Sequence, residues 1–212
     1  QLDKNLFLLF DGIGGVSRGD VASQNCAQEI ISFYGKIASD PDATQPFFFS
    51  PQYFLETNSL VNSFIFTHNK LYRSNIVKDI SQRSATQALG IAFNQSHLLT
   101  VTCGNFVLWR YREGELSKMI MNENLDFANK INIDFPVSAL GLYEEINPVI
   151  REFELREGDI WFAYTDGISV KENDLTGLMG SSVQSSRLIE KCMSLSYEAG
   201  KLDNQTALLL NF

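Results

Sequence analysis

Cysteine, histidine and basic residues are all scarce in this chain. The three cysteines, Cys26, Cys103 and Cys192, are odd in number and far apart. Each lies in an apolar segment, the pattern of buried reduced thiols in a cytoplasmic compartment rather than of a disulfide framework. The two histidines, His68 and His97, fall in different segments without the spacing of zinc ligands. They read as a surface residue of a helix and a turn residue. Lysine and arginine number 17 against 25 aspartates and glutamates, a formal net charge of -8, and the cations are scattered. A nucleic-acid backbone would meet mostly repulsion, which argues against nucleic acid as a partner. No apolar run reaches the length of a membrane span, and the start of the chain lacks the basic and apolar regions of a signal peptide. The expectation is a cytoplasmic monomer without a membrane span.

What is present is enough apolar residue, 44% of 212, for one substantial core and hence one domain. An apolar strand, "LFLLF", runs into "DGIGG". Ala22, Cys26, Ile30, Phe33 and Ile37 then recur at helical steps, predicting a helix over 20–39 with Asp20 as its cap. The proline-punctuated loop "DPDATQPFFFSPQYF" follows, its aromatics either a docking patch or folded back onto the domain. Leu60, Phe64, Thr67 and Leu71 mark a second helix to about Val77. The period then changes to that of strands, near 86–93, 98–103, 106–112 and 116–121, joined by turns that include Gly104-Asn105 and Glu113-Gly114 and so predicted to form an antiparallel meander. Strands at 149–155 and "IWFAYT", a helix over 183–199 and a closing strand "ALLL" complete an α+β pattern with helices packed outside the sheets.

Three aspartates share a setting: Asp11 after "LFLLF", Asp166 after "IWFAYT", and Asp203 shortly before "ALLL". Carboxylates at strand ends escape the core while the sheet fixes their backbone. Gathered at one edge, they would repel unless a cation neutralised them. Hard oxygen donors suit Mg²⁺ or Mn²⁺, and two such ions serve phosphate-ester hydrolysis. The alternative is that Asp-Gly is a common turn pair whose carboxylate satisfies backbone donors.

"DGIGGVSRGDVAS" resembles the glycine-rich motif of the type 2C metal-dependent serine/threonine protein phosphatases, in its bacterial form. "SATQAL" resembles that family's Ser/Thr-rich strand, "VTCGNFVLWRYREGEL" its Gly-Asp-Ser-Arg hairpin, "PVSALG" the segment before its last strands, "FELREGDIWFAYTDGISV" its strand with Asp-Gly, and "LDNQTALLL" its terminal Asp-Asn motif. The order matches across nearly the whole chain. The resemblance implies a four-layer α/β/β/α sandwich, two antiparallel sheets flanked by helix pairs, with two Mg²⁺ or Mn²⁺ ions at one edge. It implies that Asp11 bridges the ions, that the Gly12 carbonyl binds one of them, and that Asp166 and Asp203 complete the shell of the other. It implies in-line hydrolysis of phosphoserine or phosphothreonine in a protein substrate by a metal-bridging hydroxide. The glycines would then let the backbone approach the metal site.

The departures from the family also set expectations. Its acidic pair and phosphate-gripping arginine on an earlier strand have no counterpart, so residues 1–212 are expected to be a single domain lacking its first strand. Asp3 is too close to Asp11 to be that acid. The aspartate expected to hold a third metal is Asn105, followed by Phe106, and Ile13 stands where some members carry a histidine. Arg18 is the candidate phosphate contact, against the usual fate of a solvated loop arginine. Residues 168–182 lie where the family has a flap, and otherwise simply connect to the last helix. The rival to an enzyme is a pseudophosphatase that binds a partner without turning it over.

Overall fold

The computed structural model describes residues 5–13, 18–38, 40, 42–121, 125–127, 131–133, 138–181 and 185–212, with 125–127 and 131–133 as backbone. Asp3, residues 14–17 of the glycine motif, Ser39, Pro136, Val137, Ser182 and Val183, all invoked above, lie outside the described residues. The chain divides into two compact units, 1–104 with 124–154, and 105–123 with 155–212.

The first unit holds β1 (Leu6–Ile13), β2 (Ala85–Phe93), β3 (His97–Cys103) and β8 (Val149–Glu154) in one antiparallel sheet, ordered β1-β2-β3-β8. Two short strands, β6 (Leu125–Phe127) and β7 (Ile131–Ile133), pair with each other. Helices α1 (Arg18–Ile37) and α2 (Leu55–Ile76) pack on the sheet and on one another. The helical repeat of Ala22, Cys26, Ile30 and Ile37 is buried as its spacing predicts, whereas Phe33 stacks on Phe66 with ring centroids 4.6 Å apart. The core joins Cys26, Ile30 and Tyr34 of α1 to Leu60, Val61 and Phe64 of α2 over Leu6, Ala88, Ala92, Leu99 and Val101. Gly90 lets α2 approach the sheet: a Cβ there would sit 2.9 Å from the Phe64 ring. Asp20 is not a cap, because α1 begins two residues earlier. It lies in the first turn, where the helix dipole still favours a carboxylate.

The second unit holds β4 (Phe106–Arg112), β5 (Glu115–Ile120), β9 (Ile160–Thr165) and β10 (Ala207–Asn211), ordered β10-β9-β4-β5 and antiparallel. Helices α3 (Glu172–Met179) and α4 (Ser185–Glu198) cover it. Leu175, Met179, Leu188 and Cys192 pack against Val107, Trp109, Phe162 and Tyr164. The indole of Trp109 donates to the Tyr164 hydroxyl at 3.0 Å. Glu113 and Gly114 both take positive φ, 51° and 88°, and close the β4–β5 hairpin as the sequence led one to expect.

The meander does not form. Gly104-Asn105 is not a hairpin turn: Cys103 pairs with Ala88 in one sheet, while Phe106 pairs with Thr165 in the other. Gly104, at φ 110°, is the point where the chain leaves its first sheet. The fold class is α+β, with two four-stranded antiparallel sheets that each carry a helix pair.

Candidate functional site

In the first unit the site is built on the β1–β2 pairing. The strand does not end at Asp11 but continues to Ile13, with Asp11 opposite Gln87 and Gly12 opposite Thr86. Directly opposed residues share a face. The Gln87 side-chain amide donates to Asp11 Oδ2 at 2.7 Å, and the Thr86 hydroxyl lies 3.0 Å from the Asp11 carbonyl oxygen, which accepts from it. Thr86 is itself pinned: its hydroxyl lies 2.9 Å from that of Ser23 on α1, and its backbone exchanges both bonds with Leu140. The strand end is therefore held from three directions by hydrogen bonds.

The Gly12 and Gly19 backbones touch. A Cβ on Gly12 would lie 2.5 Å from the Gly19 carbonyl carbon, and one on Gly19 would lie 2.8 Å from that of Gly12. These glycines are needed for the strand to meet the start of α1 backbone to backbone, a different reason from the approach to a metal site suggested by sequence.

In the second unit Asp166 directly follows β9, whereas Asp203 precedes β10 by four residues and is exposed. The Ile168 amide donates to the Thr165 carbonyl at 3.0 Å, which closes a turn with Asp166 and Gly167 at its centre. Pairing of β9 with β10 is prolonged by one step, as Thr165 N–H donates to the Thr206 carbonyl and Thr206 N–H to the Thr165 hydroxyl. Gly167 then packs on the Asp203-Asn204 segment: a Cβ there would fall 2.1 Å from the Asn204 carbonyl oxygen. The two aspartate-bearing turns of this unit are thus in backbone contact. Asp203 Oδ1 accepts from the amide of the next residue, Asn204, at 2.8 Å.

Other residues singled out from sequence have changed standing. Arg18 is exposed at the start of α1, and its guanidinium donates to the Ser81 carbonyl. Asn105 is only 2% exposed. It is not left-handed, since the positive φ belongs to Gly104, so neither an open turn nor a left-handed asparagine describes it. His68 is not a surface residue. It is 1% exposed, with Nδ1 accepting from the Gly141 amide at 3.2 Å and Nε2 facing the Glu144 carbonyl at 3.3 Å. That arrangement calls for the neutral ring protonated on Nε2, and burial pushes its pKa down while the Glu144 carbonyl opposes this. His97 opens β3 and packs on Phe54, with ring centroids 4.8 Å apart.

The loop before α2 is fastened rather than free. Asn62 accepts from the amides of Phe47 and Phe48 at 2.8 and 3.2 Å and donates to the Phe48 carbonyl at 2.6 Å. Asn58 accepts from the Ser50 amide at 2.8 Å. Phe48 and Phe54 fold back onto the core, while Phe47 and Phe49 stay exposed. The flap position contains α3. All three cysteines are buried and outside any disulfide, and burial, with Glu29 adding to it at Cys26, pushes the thiols of Cys26 and Cys192 up to about 12 and about 11. Neither is poised as a nucleophile.

The residue that sequence reasoning missed is Gln87. It is a polar side chain, 3% exposed, in a strand whose neighbours are buried on both faces. Such a group demands an internal partner, and the demand was visible in "SATQALGIAF", though the partner was not.

Among the described residues, no group of three or more histidine, cysteine, aspartate or glutamate side chains is arranged to hold a metal ion. The donor chemistry of the separate parts fits a hard cation nonetheless. Asp11, Asp166, Asp203 and the Gly12 carbonyl offer only oxygen, and Asp11 accepts from a neutral amide rather than a cationic side chain at Oδ2. No helix among the described residues is long and apolar enough to cross a membrane.

No family model and no curated protein matches the sequence. Solved structures match over nearly its whole length. PppA, described as a key regulatory component of T6SS in Pseudomonas aeruginosa, superposes with a TM-score of 0.78 at 17% identity, covering 99% of this chain and 86% of that one. The serine/threonine phosphatase Stp1 from Staphylococcus aureus gives 0.78 at 17%, covering 98% and 83%. The catalytic domain of the serine/threonine protein phosphatase PstP, in complex with two manganese ions, gives 0.73 at 20%, covering 97% and 86%. The resemblance read from the order of the motifs is met at the level of architecture, and the chain has the fold of the bacterial serine/threonine phosphatases.

Proposed function

We propose that this chain is a single type 2C-like domain that hydrolyses phosphoserine or phosphothreonine in proteins with two Mg²⁺ or Mn²⁺ ions. The observation that supports it most is the packing of Gly167 on the Asn204 carbonyl, which sets the Asp166 and Asp203 turns side by side. Asp-Gly as an ordinary turn pair would not require that contact. In this reading Asp11 and the Gly12 carbonyl, with Asp166 and Asp203, hold the ions. When bound, the ions would activate water and neutralise the phosphoryl oxygens.

The chain's own part is positioning. Gln87 and Thr86 bond Asp11, the closed turn after β9 carries Asp166, and Asp203 accepts from the Asn204 amide. Water is added across the phosphorus–oxygen bond, releasing the hydroxyl side chain and inorganic phosphate. Arg18 contacts the phosphate only with donors not given to Ser81. The cytoplasm, with its reduced thiols and phosphorylated proteins, is the setting this reading calls for.

Calorimetric titration with Mn²⁺ and phosphate release from a phosphothreonine peptide test it. The metal-stripped protein is expected to bind Mn²⁺, Asp166→Asn to weaken that binding greatly, and EDTA to abolish turnover. Equal Mn²⁺ binding by both proteins would show the ligands to be misassigned. A second reading, a pseudophosphatase that binds without turnover, is favoured by Asn105, a neutral amide where the resemblance puts a metal-binding carboxylate. Metal-loaded protein inert on a broad phosphopeptide panel would select it.

A further inference from the structure

We propose that Gln87 is a positioning residue for the Asp11 carboxylate, holding one oxygen by its amide so that the other is presented to a divalent cation. The inference rests on the reading of Asp11 as a metal ligand given above.

Three observations carry it. The first is the bond itself, Gln87 Nε2 to Asp11 Oδ2 at 2.7 Å, between residues locked opposite each other by the β1–β2 register. The second is burial. Gln87 is 3% exposed in a strand buried on both faces, so its head group cannot swing to solvent. The third is Gly104. Its hydrogen faces the Gln87 side chain so closely that a Cβ would lie 2.5 Å from Oε1 and 2.6 to 2.7 Å from Cβ and Cγ. Gly104 therefore leaves room for the Gln87 side chain in the conformation that reaches Asp11. A glutamine kept only for strand packing would be better replaced by an apolar residue, since burying an amide has a cost that only its bonds offset.

The chemistry follows from the donor count. A carboxylate has two oxygens and free rotation about its last bond. An amide bonded to Oδ2 restrains that rotation and so fixes the plane in which the carboxylate would meet a cation. Outer partners of metal-ligating groups act in this way, and their loss typically weakens affinity about 10- to 100-fold.

Gln87→Met, which keeps length and loses the donor, is the test, with Gln87→Leu as a second apolar variant should the first fail to fold. Mn²⁺ titration of the metal-stripped proteins by calorimetry is read beside the thermal midpoint of the same metal-free samples. The expected result is Mn²⁺ binding about tenfold or more weaker in a variant whose folded state is intact. If a folded variant binds Mn²⁺ like the native protein, Gln87 serves the fold alone and the inference is overturned, while the assignment of Asp11 stands. If the native protein does not bind Mn²⁺ at all, the metal reading itself fails and takes this inference with it.

Discussion

The Arg112–Asp159 pair offers the sharpest test of how the second unit is held together. Asp159 is completely buried and Arg112 is 13% exposed, and the guanidinium bonds the carboxylate through both oxygens, at 2.6 and 2.7 Å. Asp159 also accepts from the Arg156 amide at 2.9 Å, and its backbone carbonyl accepts from the Phe212 amide at 3.0 Å, so the pair anchors the turn before β9 and the residue after β10. Replacing Arg112 by methionine keeps most of the volume but leaves a buried carboxylate without its partner. Breaking such a pair from one side costs about 3–5 kcal/mol, or about 6–20 °C in thermal midpoint for a chain of this size. The double variant Arg112→Met with Asp159→Asn should recover part of that loss, because no charge is left stranded. The pH dependence has a definite sign. Burial alone would raise the Asp159 pKa, but the bonds from Arg112 and Arg156 outweigh it and hold it below the ordinary carboxylate value of 3.8. Stability from this group is therefore full above that value and is lost as pH falls through the depressed folded pKa. Chemical denaturation at neutral pH and thermal scans down to strongly acid pH measure both effects. An Arg112→Met protein within about 0.5 kcal/mol of the native one, far below a broken buried pair, would refute the argument.

Two further outcomes are expected. Burial lowers the His68 pKa below 6.5, so the unfolded chain binds the proton more readily, and stability should fall as pH drops below about 6.5. His68→Gln should flatten that limb of a denaturation profile, and an unchanged slope would mean the ring is not protonated on unfolding. Asn105→Asp is expected to raise turnover at millimolar Mn²⁺ if the missing carboxylate is what limits a third ion. It should also lower thermal stability, since the position is 2% exposed and a buried charge is costly; turnover unchanged across a metal titration would end the third-ion account.

Where the sequence could be read and where it could not follows from the range of the forces involved. Strand and helix periods are local, so β2, β4, β9 and the apolar stripe of α1 fall within a residue or two of their expected places. The repeat along α2 marks only the stripe of Leu60, Phe64, Thr67 and Leu71. Asn58 and Asn62 lie on its other faces, His68 beside the stripe and Asn75 in line with it, and all four are buried, because the aromatic loop and the segment around Gly141 lie over them and supply backbone hydrogen-bond partners. A polar helix face looks solvated in sequence when a loop far along the chain is what covers it.

The turn at Gly104-Asn105 failed for the same reason from the other side. Glycine-asparagine between two apolar runs is a hairpin signal only if both runs join one sheet, and that membership is decided by partners 15 and more residues away: Ala88 for Cys103, and Thr165 for Phe106. The glycine was legible as a special backbone position, but what it makes room for was not. It stands against Gln87, and Gln87 meets Asp11 only because β1 pairs with β2 in the register that sets those two residues opposite one another. A shift of one residue would turn Gln87 to the other face and leave a buried amide unsatisfied. The acidic residue was found by its place after an apolar run, whereas the residue that orients it exists as such only once the register is formed.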